Sequence, residues 1–399
     1  MNKIIEFEEE KEKQEKKHIN KKKVIFAICI CIIILFFIII SVLYKSNIKS
    51  RNFIDKYIFR KDVFEEKAPY IEIDYNSNTS IIPYQKNISI LKENQLTEYN
   101  SNGKKENEIK LEINNPIYDT NGKYLVIGEK DSQKFYLISN SQIVWKKEID
   151  GKISRINVNK NGYVSVIVSG TSYKSVIIVY NDKGDELFKT YLSQTIASDS
   201  AISNDNNYLA YAELNISGST IQSCIKVISI KDVKELNTEP KYLYKAEKND
   251  IILRIKYQDK NKLVAMYDNS VHLYDGEIDT KIMDLKENGN KITFGDINLK
   301  NHICRLKEET TGLFSANTII QIVNILNEKQ TEYVIEGIVK GIETNENIIA
   351  ANLGTEVDFI NVNGWLQKKY ISNQEVRDIV LGDGVAAIIY RDKIELINL

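Results

Sequence analysis

A unit of roughly 40 residues recurs through most of this 399-residue chain and limits the fold more than any other feature. Each unit has an alternating apolar strand, then an Asn or Gly turn, then further strands. The clearest unit covers residues 153–192 and contains ISRINVNKNG, YVSVIVSG, KSVIIVYNDKG and ELFKTYL in succession. A repeat of this length with four short strands is typical of a β-propeller, in which each unit forms one blade.

The turns that follow the first strand of each unit give the number of blades. They are separated by 34 to 55 residues and fall at Asn87, Asn121, Asn161, Asn206, Asn261, Asn301, Asn347 and Gly384. Val, Ile and the 23 Tyr residues favour strands, and the Asn-Gly and Asp-Gly pairs favour tight hairpins. We therefore predict an all-β, eight-bladed propeller. A seven-bladed ring stays open, because a looser unit can be an insertion, and an array of β-sandwiches is the structural alternative.

The two ends of the repeat region predict how the ring closes. The last unit stops at a third strand, KIELINL, which ends at Leu399. The strand YIEIDY, residues 70–75, precedes the first full unit and has no place in it. We predict that this strand supplies the outer strand of the last blade and pairs with residues 393–399, because a propeller must protect the free edges of its sheets.

The corners between third and fourth strands carry a weak motif, aromatic-x-(Asn/Asp)-x-x-Gly-x-x-x-(Trp/Phe). It is seen in ISNSQIVWKKEI (138–149), YNDKGDELFKTYL (180–192) and INVNGWLQKKYI (360–371). The motif resembles the repeat of the quinoprotein-like (PQQ-like) eight-bladed propellers. The whole architecture resembles an uncharacterised family of clostridia and their relatives, whose members have a basic tail, one membrane helix and an outer propeller. The resemblance implies a fold and a topology but no activity.

An unbroken apolar run of 21 residues, 24–44, precedes the repeats. As a helix it is long enough to cross the roughly 30 Å core of a bilayer. Lysines are denser before it than after it, so we predict that the N-terminus is cytoplasmic and the large domain extracellular. A cleaved signal peptide is the rival interpretation, but the run is long and no A-x-A site follows it. No lipobox-like Cys follows it either, which argues against a lipoprotein.

The predicted organisation has four parts: a charged cytoplasmic tail (1–23), an uncleaved signal anchor (24–44), a juxtamembrane stalk or helix (45–68) and an extracytoplasmic propeller (69–399). Beyond the anchor, 46 Lys and Arg face 49 Asp and Glu, which gives no footprint for nucleic acid. Cys29 and Cys31 lie in the anchor. Only Cys224 and Cys304 lie outside it, so we predict no disulfide framework.

Motifs that carry chemistry are missing from the sequence. There is no nucleophile elbow, phosphate loop, dinucleotide fingerprint or EF-hand. The three His residues are His18, His272 and His302, and none has metal ligands at suitable spacing, so we expect the last two to be ordinary strand residues. We predict no catalytic, cofactor-binding or metal site. A pair of glycosidase carboxylates from different blades stays open, because such a pair leaves no local spacing.

Two tryptophans are candidates for a carbohydrate or peptide site, but the repeat position of Trp145 and Trp365 predicts packing between blades. We expect a non-enzymatic binding module for an envelope protein or cell-wall polymer, held at the membrane by a single span. The alternatives are an envelope glycan hydrolase or lyase with acids in the propeller channel, and a sensor that signals through the helix. The sequence does not indicate the oligomeric state or any cofactor.

Overall fold

The computed structural model describes residues 28, 30, 32–40, 42, 68–73, 79–234, 239–286, 292–310 and 316–399. Residues 68–399 form an all-β propeller of eight antiparallel sheets with four strands each. This confirms the predicted eight blades and excludes the seven-bladed ring and the β-sandwich array.

The first strand belongs to the last blade, and the next sixteen strands build the first half of the ring. They are β1 (Tyr70–Glu72), β2 (Thr79–Tyr84), β3 (Asn87–Lys92), β4 (Gln95–Tyr99), β5 (Lys105–Lys110), β6 (Pro116–Asn121), β7 (Tyr124–Glu129), β8 (Lys134–Ser139), β9 (Gln142–Glu148), β10 (Lys152–Val158), β11 (Val164–Ser169), β12 (Ser175–Tyr180), β13 (Glu186–Leu192), β14 (Ile196–Ile202), β15 (Tyr208–Asn215), β16 (Gln222–Ser229) and β17 (Tyr242–Lys245). A short α-helix, Ile230–Lys234, follows β16.

The remaining strands build the second half. They are β18 (Ile252–Tyr257), β19 (Leu263–Tyr267), β20 (Ser270–Asp275), β21 (Ile278–Asp284), β22 (Ile292–Asp296), β23 (His302–Thr310), β24 (Ala316–Asn324), β25 (Gln330–Glu336), β26 (Gly341–Asn345), β27 (Ile348–Asn352), β28 (Glu356–Asn361), β29 (Leu366–Ile371), β30 (Asp378–Leu381), β31 (Val385–Ile389) and β32 (Lys393–Asn398). A 3-10 turn, Asp259–Asn261, links β18 to β19.

Blades 1 to 7 are consecutive groups of four strands that begin with β2, β6, β10, β14, β18, β22 and β26. Blade 8 has the order β1-β32-β31-β30, so its outer strand comes from the start of the domain. Tyr70 lies opposite Glu395, and Ile71 lies opposite Ile394. The predicted ring closure is therefore confirmed, and it joins the two ends of the propeller by main-chain hydrogen bonds.

The core lies between blades rather than within a single blade. All six residues of β12 are buried, as expected for a strand covered on both faces by neighbouring sheets. One hydrophobic cluster joins Val126 and Phe135 of blade 2 to Val166 and Val176 of blade 3. Similar clusters join other neighbouring blades, so each blade is stabilised by the apolar surface of the next one.

The turns between first and second strands lie where the sequence predicts them in each of the eight blades. In blade 3 the side-chain oxygen of Asn159 accepts the N–H groups of Asn161 and Tyr163, both at 3.0 Å. Gly162 closes this turn at φ +85°, in the left-handed region that favours glycine, and a Cβ there would lie 2.7 Å from the ring of Tyr124 in blade 2. The turn chemistry thus also sets the spacing between blades.

The predictions for the first part of the chain lie largely outside the described residues. This applies to the tail, to the stalk apart from residue 68, to Cys29 and Cys31, and to part of the predicted anchor. Residues 32–40 are helical, and the large apolar side chains of residues 32–39 are exposed. Within the part of the chain that the structure describes, no helix is both long enough and apolar enough to span a membrane.

Candidate functional site in the central channel

The first strands of the blades line the central channel. Consecutive first strands are neighbours around the ring, as β6, β10, β14 and β18 show. These strands carry most of the charged groups near the axis. The charged residues considered below are Asp119 of β6, Arg155 of β10, Asp199 of β14, Arg254 and Lys256 of β18, Asp296 of β22, Glu343 of β26 and Asp378 of β30.

Three of the channel acids hold neighbouring blades together. Asp119 Oδ2 accepts the N–H of Val158 in blade 3 at 2.8 Å. Asp199 Oδ2 accepts the N–H of Ile255 in blade 5, also at 2.8 Å. Asp296 in turn accepts the hydroxyl of Thr344 in blade 7. Asp119 and Asp199 therefore replace a main-chain partner that the seam between two sheets cannot supply, and Asp296 satisfies a side-chain hydroxyl.

The basic side chains of the channel also contact neighbouring blades. Arg155 Nε lies 2.6 Å from Asp199 Oδ1, so an ion pair crosses from blade 3 to blade 4. Lys256 Nζ donates to the carbonyl of Asn298 at 3.1 Å. Burial lowers the pKa of Lys256 and raises the pKa of Asp119 and Asp199. These shifts arise from loss of hydration in the packed wall of the channel.

Glu343 differs from the other channel acids. The side chain of Glu343 forms no hydrogen bond or ion pair to any residue that the structure describes. It reaches the water of the channel. The surrounding wall removes much of its hydration, and Asp296 and Asp378 add negative charge. Together these effects raise the pKa of Glu343 to about 7. A carboxyl group in this range can exchange a proton near neutral pH.

Glu343 and Asp378 border a cavity of about 640 Å³ between blades 7 and 8. The strand starts Gly341 and Asp378 and the turn residue Arg391 contribute to its wall. At the other end of the channel, the turns after the first strands surround a second cavity of about 640 Å³. Polar contacts between blades fix that mouth, for example the Gln258 Nε2 donation to the carbonyl of Leu299 at 3.1 Å.

The structure separates the two tryptophans. Trp145 packs between blades 2 and 3, as predicted: its ring meets Phe135 edge-on at 5.6 Å and Tyr180 at 5.9 Å. Its Nε1 donates to the carbonyl of Asp182 at 3.1 Å. Phe188, at the related position of blade 3, is also buried, in the cluster shared by blades 3 and 4.

The same prediction is wrong for Trp365, which is 67% exposed. Asn361 accepts the N–H of Trp365 at 3.1 Å, just as Asn181 accepts the N–H of Asp185 at 2.8 Å in blade 3. Trp365 therefore occupies the turn position of Asp185, three residues before the position of the buried Phe188. A turn residue at the rim has no neighbouring sheet to cover it.

Trp365 belongs to a set of exposed apolar residues at equivalent hairpins. Ile278 of blade 5 is 64% exposed and Leu326 of blade 6 is 40% exposed. Each of the three follows the turn between the third and fourth strands of its blade or lies in it. These hairpins lie at the same end of every blade, so the three residues share one face of the propeller. We call Ile278, Leu326 and Trp365 the hairpin patch.

The histidines and cysteines of the described residues lie in strands of blades 4 to 6. His272 Nδ1 is 2.7 Å from Asp279, and His302 Nδ1 is 2.7 Å from the carbonyl of Lys300. Cys224 and Cys304 are unbridged and lie in different blades. Among the described residues, no group of three or more His, Cys, Asp or Glu is arranged to hold a metal ion.

The charged lining of the channel was missed by reasoning from the sequence, although it left a trace. In segments such as ISRINV, FGDINL and GIETNE, a charged residue stands within the first strand or at its end. A charge at that point in several repeats indicates a shared environment near the axis. The pattern does not reveal which acids bind the next blade and which, like Glu343, have no side-chain partner among the described residues.

Comparison with solved structures supports the fold. Sqt1 from Chaetomium thermophilum is 11% identical over 84% of this chain and 100% of that chain, with a TM-score of 0.52. BamB from Moraxella catarrhalis is 12% identical over 84% of this chain and 99% of that chain, with a TM-score of 0.48. The Pan2 WD40 domain of Neurospora crassa is 10% identical over 71% and 87% of the two chains, with a TM-score of 0.44.

No curated protein matches the chain. A family model matches residues 65–399, which include every strand of the eight blades. The chain therefore belongs to DUF5711, a family of unknown function.

Proposed function

We propose that the protein is a membrane-anchored, extracytoplasmic binding module that docks an envelope protein or cell-wall polymer on one face of its propeller. The hairpin patch carries this proposal. Trp365 and Ile278 are each more than 60% exposed on a ring whose other strand-borne apolar residues are mostly buried between blades. Exposed Trp and aliphatic side chains that share one face are typical of surfaces that bind a partner.

The architecture of the ring supports a docking role. The hydrogen-bonded closure between β1 and β32 covers the edge of β32 and joins the two ends of the propeller. The interblade contacts of Asp119, Asp199 and Asp296 further fix the blades relative to one another. A hairpin on such a scaffold loses little conformational freedom on binding, so more of the contact energy appears as affinity.

The experiment for this proposal compares two faces of the same ring. Full-length protein is cross-linked in its native membranes, and the partner is identified by mass spectrometry. The variant Trp365→Ser with Ile278→Ser is expected to lose the partner. Ile338→Ser is the matched control, because Ile338 is 60% exposed and lies in a loop at the opposite end of the blades. Equal loss in both variants, or in neither, would refute docking at the hairpin patch.

Membrane anchoring rests on the apolar run 24–44 and its lysine-rich flank. The exposed apolar side chains of the helical residues 32–39 fit a lipid environment. Protease added to intact protoplasts is expected to digest residues 70–399 and to spare the anchor and tail. Survival of the large domain with loss of the tail would reverse the orientation, and release of a soluble mature form would show a cleaved signal.

A second candidate function is cleavage of an envelope glycan by a hydrolase or a lyase reaction. The environment of Glu343 favours it. A carboxyl group with a pKa of about 7 beside Asp378 and a cavity of about 640 Å³ has the features of a general acid. The test is turnover of purified cell-wall glycan by the full-length protein. Turnover that Glu343→Gln abolishes and Glu277→Gln retains would replace the binding module by an enzyme.

A sensor that passes the presence of an outer ligand through the helix is the third hypothesis. In this hypothesis a second protein receives the signal on the other side of the membrane. The cross-linking experiment above also tests this hypothesis. A partner captured through the tail, and lost when the outer ligand is removed, would favour it.

A further inference from the structure

A cleft of about 310 Å³ lies at the rim of the propeller, where blade 2 meets blade 3, away from both the channel and the hairpin patch. Its floor consists of Val176, Ile178 and Tyr180, which are buried on β12. Tyr173 and Tyr191 stand at its edge, 41% and 54% exposed. The cleft is at the lower limit of volumes that hold a small ligand, roughly 300 Å³, so it fits a single side chain.

The two exposed tyrosines form an aromatic corner. Their ring centroids are 4.7 Å apart and their planes are inclined by 44°. At this separation the two rings pack against each other and no group fits between them, but the exposed ring of Tyr191 keeps a face open at the cleft. The open face of an aromatic ring attracts a cation.

The charge of the cleft has the sign that a cation requires. Glu148 and Asp150 enter from blade 2, and Glu186 enters from β13. The lining contains one base, Lys189, whose Nζ lies 3.1 Å from Glu186. Three carboxylates and one ammonium group leave the cleft with a net negative charge. This charge favours a cationic ligand over a neutral one.

The walls of the cleft are formed in advance of any ligand. Thr171 Oγ1 accepts the N–H of Tyr173 at 3.1 Å, and Lys174 N donates to the carbonyl of Leu192 at 2.9 Å. Gly151 adopts φ +102°, and a Cβ there would lie 2.5 Å from Val168. This close approach presses the Asp150 loop against blade 3, so binding requires little ordering of the protein.

We propose that this cleft binds one basic side chain, lysine or arginine, of a protein partner. The cation lies over the open face of the Tyr191 ring, and its charge is balanced by Glu148 and Asp150. The aliphatic part of the side chain covers the apolar floor, as long basic side chains do when they cross apolar surface. The site is separate from the hairpin patch, so each can fail without the other.

The test uses fluorescence anisotropy with the full-length protein in detergent and a labelled Arg-Gly repeat peptide. A Cit-Gly repeat peptide is the matched probe, because citrulline keeps the shape of arginine and lacks its charge. We expect the citrulline peptide to bind about tenfold more weakly or not at all. We also expect the affinity for the arginine peptide to fall as the salt concentration rises.

Variants then assign the binding to the cleft. Tyr191→Ala is expected to weaken binding of the arginine peptide about tenfold, whereas Tyr191→Phe retains it because the ring face is unchanged. Glu148→Gln with Asp150→Asn is expected to weaken it similarly, and Glu277→Gln, a matched charge change on blade 5, is not. Equal binding of the two peptides, no binding of either, or unchanged affinity in folded Tyr191→Ala protein would overturn the proposal.

Discussion

Asp199 in blade 4 accepts the main-chain N–H of Ile255 in blade 5 at 2.8 Å, so one carboxylate fixes the seam between two sheets. Its other oxygen lies 2.6 Å from Arg155 Nε in blade 3. The side chain of Asp199 is only 2% exposed. A single acid near the axis thus connects three consecutive blades, and its role is structural.

Removing this carboxylate is expected to destabilise the ring. Asp199→Ala leaves a main-chain N–H and a guanidinium group without their partner, at a cost of roughly 3 kcal/mol in the free energy of unfolding. Asp199→Asn is expected to cost less, because its amide oxygen can still accept the N–H of Ile255. Urea unfolding measures both, with Asp383→Asn in an exposed turn as the control. If Asp199→Ala were as stable as the wild type, the carboxylate of Asp199 would not stabilise the contact between the blades.

Ring closure makes a second prediction. Ile71 is 8% exposed and packs with Ile394 and Leu396 of β32 and with residues of blade 1. Ile71→Ala is expected to lower the free energy of unfolding by about 2–3 kcal/mol. Deletion of residues 69–76 is expected to lower the melting temperature further and to promote aggregation through the bare edge of β32.

The control for ring closure is Glu72→Ala, because Glu72 is exposed on the same strand. This change is expected to leave the free energy of unfolding within about 0.5 kcal/mol of the wild type. If the deletion variant melted like the intact protein, the ends of the propeller would have to be held together by something other than β1.

The contrast between the two tryptophans gives a third prediction. Trp145→Ala removes an interblade ring and its hydrogen bond to Asp182, so we expect a loss of about 2–3 kcal/mol of stability. Trp365→Ala removes an exposed ring and is expected to change stability by less than about 0.5 kcal/mol. Thermal melts of both variants decide this, and a large loss for Trp365→Ala would mean that its ring is covered after all.

The repeat allowed blade number, turn positions and ring closure to be predicted because each depends on local signals. Turn residues such as Asn206 and Gly162 adopt left-handed backbone angles, and the orphan strand at residues 70–75 needs a partner. The exposure of Trp365 was missed because its distance from Asn361 along the turn, rather than its residue type, decides which way it points. Trp365 lies four residues after Asn361, whereas the buried Phe188 lies seven residues after the equivalent Asn181.

The channel could not be predicted because its contacts join residues far apart in sequence. Asp199 and Ile255 are separated by 56 positions, and the strand that contains either residue shows no sign of the other. The cleft between blades 2 and 3 is similar, because Asp150 and Tyr191 come from different repeats. Only the fold brings these groups together, so the sequence indicates the scaffold better than the sites on it.

The last prediction concerns Glu343 and pH. Its pKa is about 7 in the folded protein, against an ordinary value of 4.5, because of lost hydration and the charges of Asp296 and Asp378; Arg254 acts in the opposite direction. Between these two values the folded protein holds more protons than the unfolded chain. The free energy of unfolding is therefore expected to fall as pH rises from about 4.5 through about 7. Below that range Glu343 is protonated in both states, and the fold keeps the full stability that the protonated side chain allows.

Glu343→Gln tests this directly, because the amide stays neutral at every pH in the range. At about pH 4 the variant and the wild type are expected to melt alike, since Glu343 is then mostly protonated in both the folded and the unfolded states. At about pH 8 the variant is expected to melt at the higher temperature, because the wild type must hold an ionised carboxylate beside Asp296 and Asp378. Identical melting curves for the two proteins at both pH values would show that Glu343 ionises as freely as an exposed acid.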